Sequence, residues 1–498
     1  MILSRALFAL SVALVVAWLG PSPARGATVD DRPNVVFILA DDLGIDDLHS
    51  YGRDDHATPN LDRLAARGAR FTSAYCGLSI CSASRAALMT GKSSARLHLT
   101  TYLPGRPDAP SQKLLHPKIN MFLPNSETTL AERFKALGYA TGIFGKWHLN
   151  GGPGTKSAPT DQGFDEAFLP PGDSEPSATE GGKNEYAITR RAIDFLERKK
   201  DAPFFLYVAH HSPHIRLAAK AELVAKHKDA FNPVYAAMIE TLDDTVGLIL
   251  AAIEREGLER KTIVVFTSDN GGLHVLEGGE VATHNTPFRA GKGYLYEGGL
   301  RVPLIVAWPG RIPAAVIDEP TVNMDFTPTL LELCGAPAPT EPELDGASIA
   351  ERLRGGPPAP PRSFPFHFPH YTNQGSRPAG SLREEDWKLI EHYEDGRLEL
   401  FDLAADPGEQ TDLAAAQPDR ARAMQARLAA WRTSVDAQPN TPNPDHDPAL
   451  AASIYGSFDS SNVPARATAA AMTPLFQPWR KLMNAAVAGA SRKDKARD

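Results

Sequence analysis

The segment Asn34–Ala40 (NVVFILA) is a nearly continuous apolar run rich in β-branched side chains, and it stops abruptly at Asp41-Asp42-Leu43-Gly44. Such a run predicts a strand buried on both faces, as in a parallel sheet; a half-exposed strand would alternate. The pattern returns at Tyr139–Phe144 before Gly145-Lys146-Trp147-His148, and at Phe204–Ala209 before His210-His211-Ser212-Pro213-His214. It returns again at Thr262–Thr267, ahead of Asp269-Asn270-Gly271-Gly272, and Pro303–Trp308 is a further strand candidate. Helical stretches separate these runs: Thr58-Pro59 opens one that ends at Gly68, Glu127–Leu137 follows Ser126 and is closed by Gly138, and residues 186–198 and Tyr235–Glu256 are the others. Alternating helices and apolar strands predict an α/β domain with a large, mostly parallel sheet flanked by helices. Four strand candidates end in polar residues able to bind or catalyse. Sites in open α/β sheets lie beyond the carboxyl ends of the strands, so the four clusters are expected to converge.

Beyond a Gly- and Pro-rich linker at Arg354–Pro361 the pattern changes. Asp386–Glu391 and Leu398–Leu403 read as short strands and Ala415–Trp431 as an amphipathic helix, together a smaller α+β C-terminal domain. From Gln438 onward Pro, Asn and Asp dominate, followed by an Ala-rich stretch and a basic end, which predicts a tail that is poorly ordered or wrapped on the surface. The expected layout is a catalytic domain over 27–355, the small domain over 356–437 and the tail over 438–498. Ahead of it, Arg5, the apolar run Ala6–Leu19 and the small residues Ala24 and Gly26 read as a signal peptide over residues 1–26, implying export to a periplasmic or extracellular compartment. No segment is apolar over the ~20 residues that a membrane-spanning helix needs.

Charge and cysteine content narrow the class. The 498 residues carry 52 Lys+Arg against 60 Asp+Glu. Removing residues 1–26 takes away Arg5 and Arg25 and no acid, so 52 − 2 leaves 50 basic against 60 acidic groups, a formal charge of −10. That balance excludes nucleic acid as the main partner, since phosphate backbones are bound by basic surfaces. It leaves room for a small anion held by a local basic cluster. Cys76, Cys81 and Cys334 are too few for a disulfide framework, and their odd number leaves one thiol to explain.

Asp41, Asp42, Asp269 and Asn270 offer three carboxylates and an amide oxygen, the ligands that hard divalent cations prefer. The same residues also make ordinary turns. Cys81-Ser82-Ala83-Ser84-Arg85 leads into Ala86–Gly91, which places a thiol at a helix N-terminus, where its pKa is expected to fall, and Arg85 one turn further on the same face. A tyrosine-phosphatase loop is excluded: it needs five residues between Cys and Arg, and neither Cys76 nor Cys81 has an Arg six positions on.

Cys81–Arg85 resembles the Cys-x-Pro-Ser-Arg signature of the type I sulfatases. Asp41-Asp42, Gly145–His148, Pro213-His214, Ser268–Gly271, Gly291-Lys292 and Glu297-Gly298-Gly299 match further blocks of that family in order, across residues 33–335, and Leu400–Leu413 resembles its C-terminal domain. Position 83 is Ala where the family usually has Pro. The resemblance implies an alkaline-phosphatase-like fold and hydrolysis of a sulfate monoester, most naturally a sulfated carbohydrate. It implies that Cys81 is converted to formylglycine by a maturation enzyme, and that one calcium ion is held by Asp41, Asp42, residue 81, Asp269 and Asn270. By the same resemblance Arg85 and Lys146 stabilise the hydrated aldehyde, Lys292 binds sulfate, His148 is a base, and His214, aided by Lys292, is the leaving-group acid. Histidine suits both roles because its pKa lies near neutrality.

Two alternatives share these residues: a phosphonate monoester or phosphodiester hydrolase of the same superfamily, and an inert secreted carbohydrate-binding homologue. His210, His211 and His274 read as surface or packing residues. Phe364–Tyr371, with His367 and His370, reads equally as the lining of a sugar pocket or as a packed strand edge. The loops 100–125, 150–185 and 272–285, where substrate choice would lie, carry no decodable pattern.

Overall fold

The computed structural model describes residues 32–150, 157–337 and 344–494, with side chains through residue 487. The leader over residues 1–26 lies outside the described residues. The main sheet has eight strands: β1 (Asn34–Asp41), β2 (Ala69–Phe71), β3 (Ala140–Gly145), β4 (Glu166–Phe168), β5 (Phe204–Pro213), β6 (Thr262–Ser268), β7 (Leu304–Ala307) and β8 (Ala315–Ile317). Their order is β8-β2-β7-β6-β1-β5-β3-β4, and only β7 runs against the rest. The main helices are α1 (Pro59–Arg67), α2 (Cys81–Thr90), α3 (Leu130–Ala136), α4 (Glu185–Lys199) and α5 (Pro233–Arg255). The expected α/β architecture is therefore the observed one.

Every residue of β1 is buried, and its side chains alternate between two cores. Val35, Phe37 and Leu39 face one with α2 and α3, whereas Val36, Ile38 and Ala40 face the other with α4 and α5. This two-sided burial is the reason the strand reads as a continuous apolar run. Strand β1 lies between β6 and β5 in register, with Ile38 opposite both Phe266 and Val208. The carboxyl ends of β3, β5, β1 and β6 are consequently four neighbours at one edge of the sheet.

A second sheet is antiparallel, with strands β9 (Ser363–Phe368), β10 (Ala379–Glu384), β11 (Trp387–His392) and β12 (Leu398–Asp402) in sequence order. One face packs Leu382, Leu389 and Leu400 on Ala421, Met424 and Leu428 of α6 (Pro418–Ser434). The other face turns Phe364, Phe366 and Ile390 into the main core beside Tyr75. Buried charge crosses this junction: Lys388 Nζ lies 3.0 Å from Glu297 Oε1 and 2.9 Å from Glu409 Oε1, and the Glu297 N–H donates to Glu409 Oε2 (2.6 Å). His367 meets Tyr393 Oη (2.7 Å) and donates to the Gln438 carbonyl (3.0 Å), and His370 meets Thr100 Oγ1 (2.8 Å). The two histidines of the aromatic segment are thus held in a packed junction, while Phe364, Pro365 and Phe366 also line a cavity of about 380 Å³.

The region from Gln438 onward, expected to be poorly ordered or surface-wrapped, carries a long helix, α7 (Ala469–Asp494). Met472, Phe476, Trp479 and Met483 are buried in the same core as Val36 and Ile38 of β1. Pro474 and Pro478 within the helix, and its alanine content, conceal this from a reading of periodicity.

Candidate active site

At the end of β1, Asp41 and Asp42 are each 1% exposed, and Asp42 takes a left-handed φ of 65°. The Asp42 N–H donates to Asp269 Oδ1 (3.1 Å), and the Leu43 N–H donates to Ser268 Oγ (3.0 Å), stitching the ends of β1 and β6 together. On the other side, Gly145 closes β3 at φ 112°; a Cβ there would fall 1.8 Å from the Ala209 carbonyl oxygen. Only glycine permits that approach, and the Lys146 N–H then donates to the same carbonyl (2.8 Å).

Strand β5 reaches the site through an irregularity. Its register with β1 jumps from Leu39↔Ala209 to Asp41↔Pro213, so His210, His211 and Ser212 bulge out of the ladder and re-aim the chain toward His214. Glu185, at the start of α4, fills the bulge. Its Oε1 accepts the N–H groups of His211 (3.0 Å) and Ser212 (2.6 Å), and its Oε2 pairs with His210 Nδ1. Nothing in the sequence singled out Glu185, which reads as an ordinary acid in a first helical turn.

Helix α2 is buried throughout and starts at Cys81, with no side chain capping its N-terminus. Cys81 Sγ lies 3.7 Å from Asp41 Oδ1 and 3.8 Å from Asp42 Oδ1. Burial pushes the thiol up to about 12 despite the opposing pull of Lys146 and Lys292. The expected lowering at a helix N-terminus is therefore reversed: desolvation and nearby carboxylates outweigh the dipole. Ala83 stands within the first turn, before the first intrahelical bond from the Ser84 N–H to the Ile80 carbonyl (3.0 Å). Its N–H has no helical acceptor to lose, so Ala and Pro are equivalent there for helix geometry.

Arg85, Lys146 and Lys292 each meet a carboxylate. Arg85 Nε donates to Asp269 Oδ2 (2.8 Å) and Nη1 to the Lys146 carbonyl (2.9 Å). Lys146 Nζ lies 2.6 Å from Asp41 Oδ2, and Lys292 Nζ lies 2.8 Å from both oxygens of Asp42. Burial alone would raise Asp41, but Lys146, His214 and Arg85 hold it well below the usual carboxylate range. Asp269 is pushed up to about 6 by burial, which Arg85 only partly offsets.

The two candidate catalytic histidines are neutral. Burial pushes His148 down to about 3 and His214 down to about 4, with neighbouring lysines adding to both. His148 Nε2–H donates to the Leu103 carbonyl (3.1 Å), leaving Nδ1 buried and without a partner. His214 Nδ1–H donates to the Ile215 carbonyl, and Nε2 faces Asp42 Oδ2 at 3.6 Å. His274 donates to the Ser460 carbonyl (2.9 Å) and His210 is buried on Glu185, both as packing residues. His211 instead lines the open cleft beside Asp41, Lys146, His148 and His214, a space of about 560 Å³.

Donor atoms of Asp41, Asp42, Cys81 and His214 lie within 4.8 Å of one another. His214 thus joins the group from which metal ligation was expected, while the Asp269 carboxylate is turned to Arg85. Asn270 donates through Nδ2 to Asp42 Oδ1 (2.8 Å), and its Oδ1 is buried with no hydrogen-bond partner among the described residues. An orphaned amide oxygen beside converging carboxylates fits a hard divalent cation.

A mostly parallel sheet with acids, a buried cysteine and lysines gathered at its carboxyl edge is the setting of an enzyme site for an anionic substrate. Comparison with known proteins refines this. The sulfatase family matches residues 33–336, and the C-terminal family of N-sulphoglucosamine sulphohydrolase matches residues 290–434. Human (Homo sapiens) arylsulfatase A is 32% identical over 86% of this chain and 94% of its own length. N-acetylgalactosamine-6-sulfatase of Rattus norvegicus is 33% identical over 65% of this chain and 66% of its own. Among solved structures, Ps i-CgsB superposes with a TM-score of 0.69 at 27% identity, covering 84% of this chain and 94% of that one. The chain belongs to the sulfatase family and is a sulfuric ester hydrolase. Among the described residues no helix is long and apolar enough to cross a membrane.

Proposed function

We propose that this protein is an exported, calcium-dependent carbohydrate sulfatase whose residue 81 works as formylglycine. The observation that carries this reading is the place of Cys81: buried at the uncapped start of α2, it stands within 4 Å of two carboxylates while its own thiol is held neutral. A neutral thiol is a poor nucleophile, so the surroundings suit a different group at that position. Converted to formylglycine, residue 81 would supply a hydrated aldehyde as nucleophile, and a calcium ion on Asp41, Asp42, Asp269, Asn270 and residue 81 would supply Lewis acidity and a template.

The chain's own residues account for the rest. Lys292 would bind the sulfate and offset its charge, and Arg85 and Lys146 would stabilise the hydrated form of residue 81, with Arg85 also fixing the start of α2 against Asp269. His148, holding its Nε2 proton on the Leu103 carbonyl, presents Nδ1 as the base. His214 keeps its Nδ1 proton on the Ile215 carbonyl, so the proton it delivers to the leaving oxygen sits on Nε2. An arriving sulfate monoanion favours that protonated state. The names of the relatives support a saccharide substrate, and the layout of 27–355, 356–437 and a C-terminal segment is the proposed domain division. The apolar leader supports export and exposure to a maturation enzyme.

The test is release of inorganic sulfate from a panel of sulfated mono- and oligosaccharides, with mass spectrometry of the peptide spanning residue 81. The expected result is an aldehyde at that residue and sulfate release from at least one sugar. An unmodified thiol in protein from the native host, or faster turnover of an aryl phosphonate than of every sulfate, would overturn the reading.

A further inference from the structure

Among the described residues, Lys183 is a cation of the cleft without a counter-charge. Arg85, Lys146 and Lys292 pair with Asp269, Asp41 and Asp42, three cations for three carboxylates. Lys183 lines the same cleft and is only 2% exposed, yet among the described residues its ammonium has no hydrogen-bond or ion-pair partner. Burial pushes its pKa down, and Asp41, Glu185 and Asp173 act on it only from a distance.

Enclosing the lysine so fully while its ammonium opens only onto the cleft, with no counter-charge, is unfavourable, and the local backbone is arranged to do it. Gly182, Lys183 and Asn184 take φ values of 101°, 60° and 60° in succession. The Lys183 N–H donates to the Ser174 carbonyl (2.9 Å) and Asn184 Nδ2 to the Pro171 carbonyl (2.9 Å). The residue also precedes the N-terminus of α4, where the helix dipole disfavours a cation. Left-handed backbone, burial and dipole all oppose stability here, the pattern of a residue placed for a ligand.

We propose that Lys183 binds a second anionic group, a sulfate or a carboxylate, on the saccharide portion of the substrate. The proposal rests on the sulfatase reading above and adds the substrate's charge pattern to it. The cleft of about 560 Å³ is far larger than one sulfate group and takes a sugar ring as well. Lysines 146 and 292 sit against the carboxylates at the sheet edge, where the reacting sulfate is expected, whereas Lys183 lines the cleft with Leu169, Pro170, Gly172 and Asp173.

The experiment compares wild type with Lys183→Met on a matched set: a 6-sulfated hexosamine alone, the same sugar with a second sulfate, and the same sugar linked to a uronic acid. Wild type is expected to prefer one of the doubly charged members. In the variant KM for that member should rise about ten- to a hundredfold, the worth of a charge-assisted hydrogen bond, with kcat little changed. Lys183→Arg should recover part of the preference. The member whose advantage disappears identifies sulfate or carboxylate as the group bound. Equal losses on singly and doubly charged sugars would place Lys183 on the reacting sulfate and overturn the proposal; so would unaltered selectivity.

Melting of Lys183→Met should hold, since no hydrogen bond or ion pair of the lysine is removed, which separates recognition from misfolding. Calorimetric binding of the same sugars to Cys81→Ser protein reads the contact without turnover. If wild type releases sulfate from no substrate, the sulfatase reading fails, and Lys183-dependent binding still decides this proposal.

Discussion

Glu185 Oε1 accepts the Ser212 N–H at 2.6 Å, tying the start of α4 to the bulge that aims β5 at the active site. One buried carboxylate therefore satisfies backbone groups that the sheet ladder leaves unpaired, two residues before His214. Replacing Glu185 with Ala should strand two buried N–H groups, at about 1–3 kcal/mol each. Urea denaturation would measure the loss, and kcat should fall as His214 moves. A variant of wild-type stability and activity would show that the bulge holds its shape without this carboxylate.

Cys81→Ala should lower turnover by about a thousandfold or more, as expected on loss of a nucleophile, while the melting temperature stays within a few degrees of wild type. Sulfate release and calorimetry on one preparation check both. Retained activity would remove residue 81 from the chemistry.

Chelation of divalent metal should abolish activity, and added calcium should restore it. Binding to the folded state alone contributes about 2.7 kcal/mol at a metal concentration a hundredfold above Kd, so melting should rise with calcium. Asn270→Ala, which removes the orphaned amide oxygen, should move both responses to higher calcium concentration. Calcium titrations of melting in the two proteins provide the comparison.

The junction between the two sheets makes a pH-dependent prediction. Burial raises Glu297, but Lys388, Arg383 and Arg301 outweigh it and hold this acid below the usual carboxylate range. Burial pushes Glu409 above that range, and Lys388 offsets it only in part. The lowered acid adds stability above the unfolded carboxylate range, lost as pH falls through its folded value. The raised acid subtracts stability as pH rises from the unfolded range through its folded value. Lys388→Met leaves two buried acids without their shared cation, at about 3–5 kcal/mol when both are ionised. The loss should be larger at about pH 8 than at about pH 5, where both acids can take up protons. Denaturation at the two pH values decides it.

The parallel core was legible because β1, β5 and β6 are buried on both faces and so read as unbroken apolar runs. Strands β2, β4 and β8, three residues each, are too short for any periodicity to register. Strand β9 carries Pro365, which an edge position tolerates but a sequence reading discounts. At the site, polar residues following apolar runs marked Asp41, Asp42, Lys146, His214 and Asp269. Glu185 and Lys183 left no such mark, because their roles depend on a bulge and a cleft that exist only after distant strands pair. The pKa of Cys81 was misread for a related reason: the helix terminus is visible in the sequence, the depth of burial is not.

The packing of Phe476 and Trp479 against the same core as Val36 and Ile38 has a consequence for biosynthesis. A strand made among the first residues waits for a helix made among the last before one face of its sheet is closed. During that interval the face covered by α4 and α5 lacks its last partner, whereas α2 packs on the opposite face and does not wait for it. The order of the chain thus makes closure of that one face among the last events of folding.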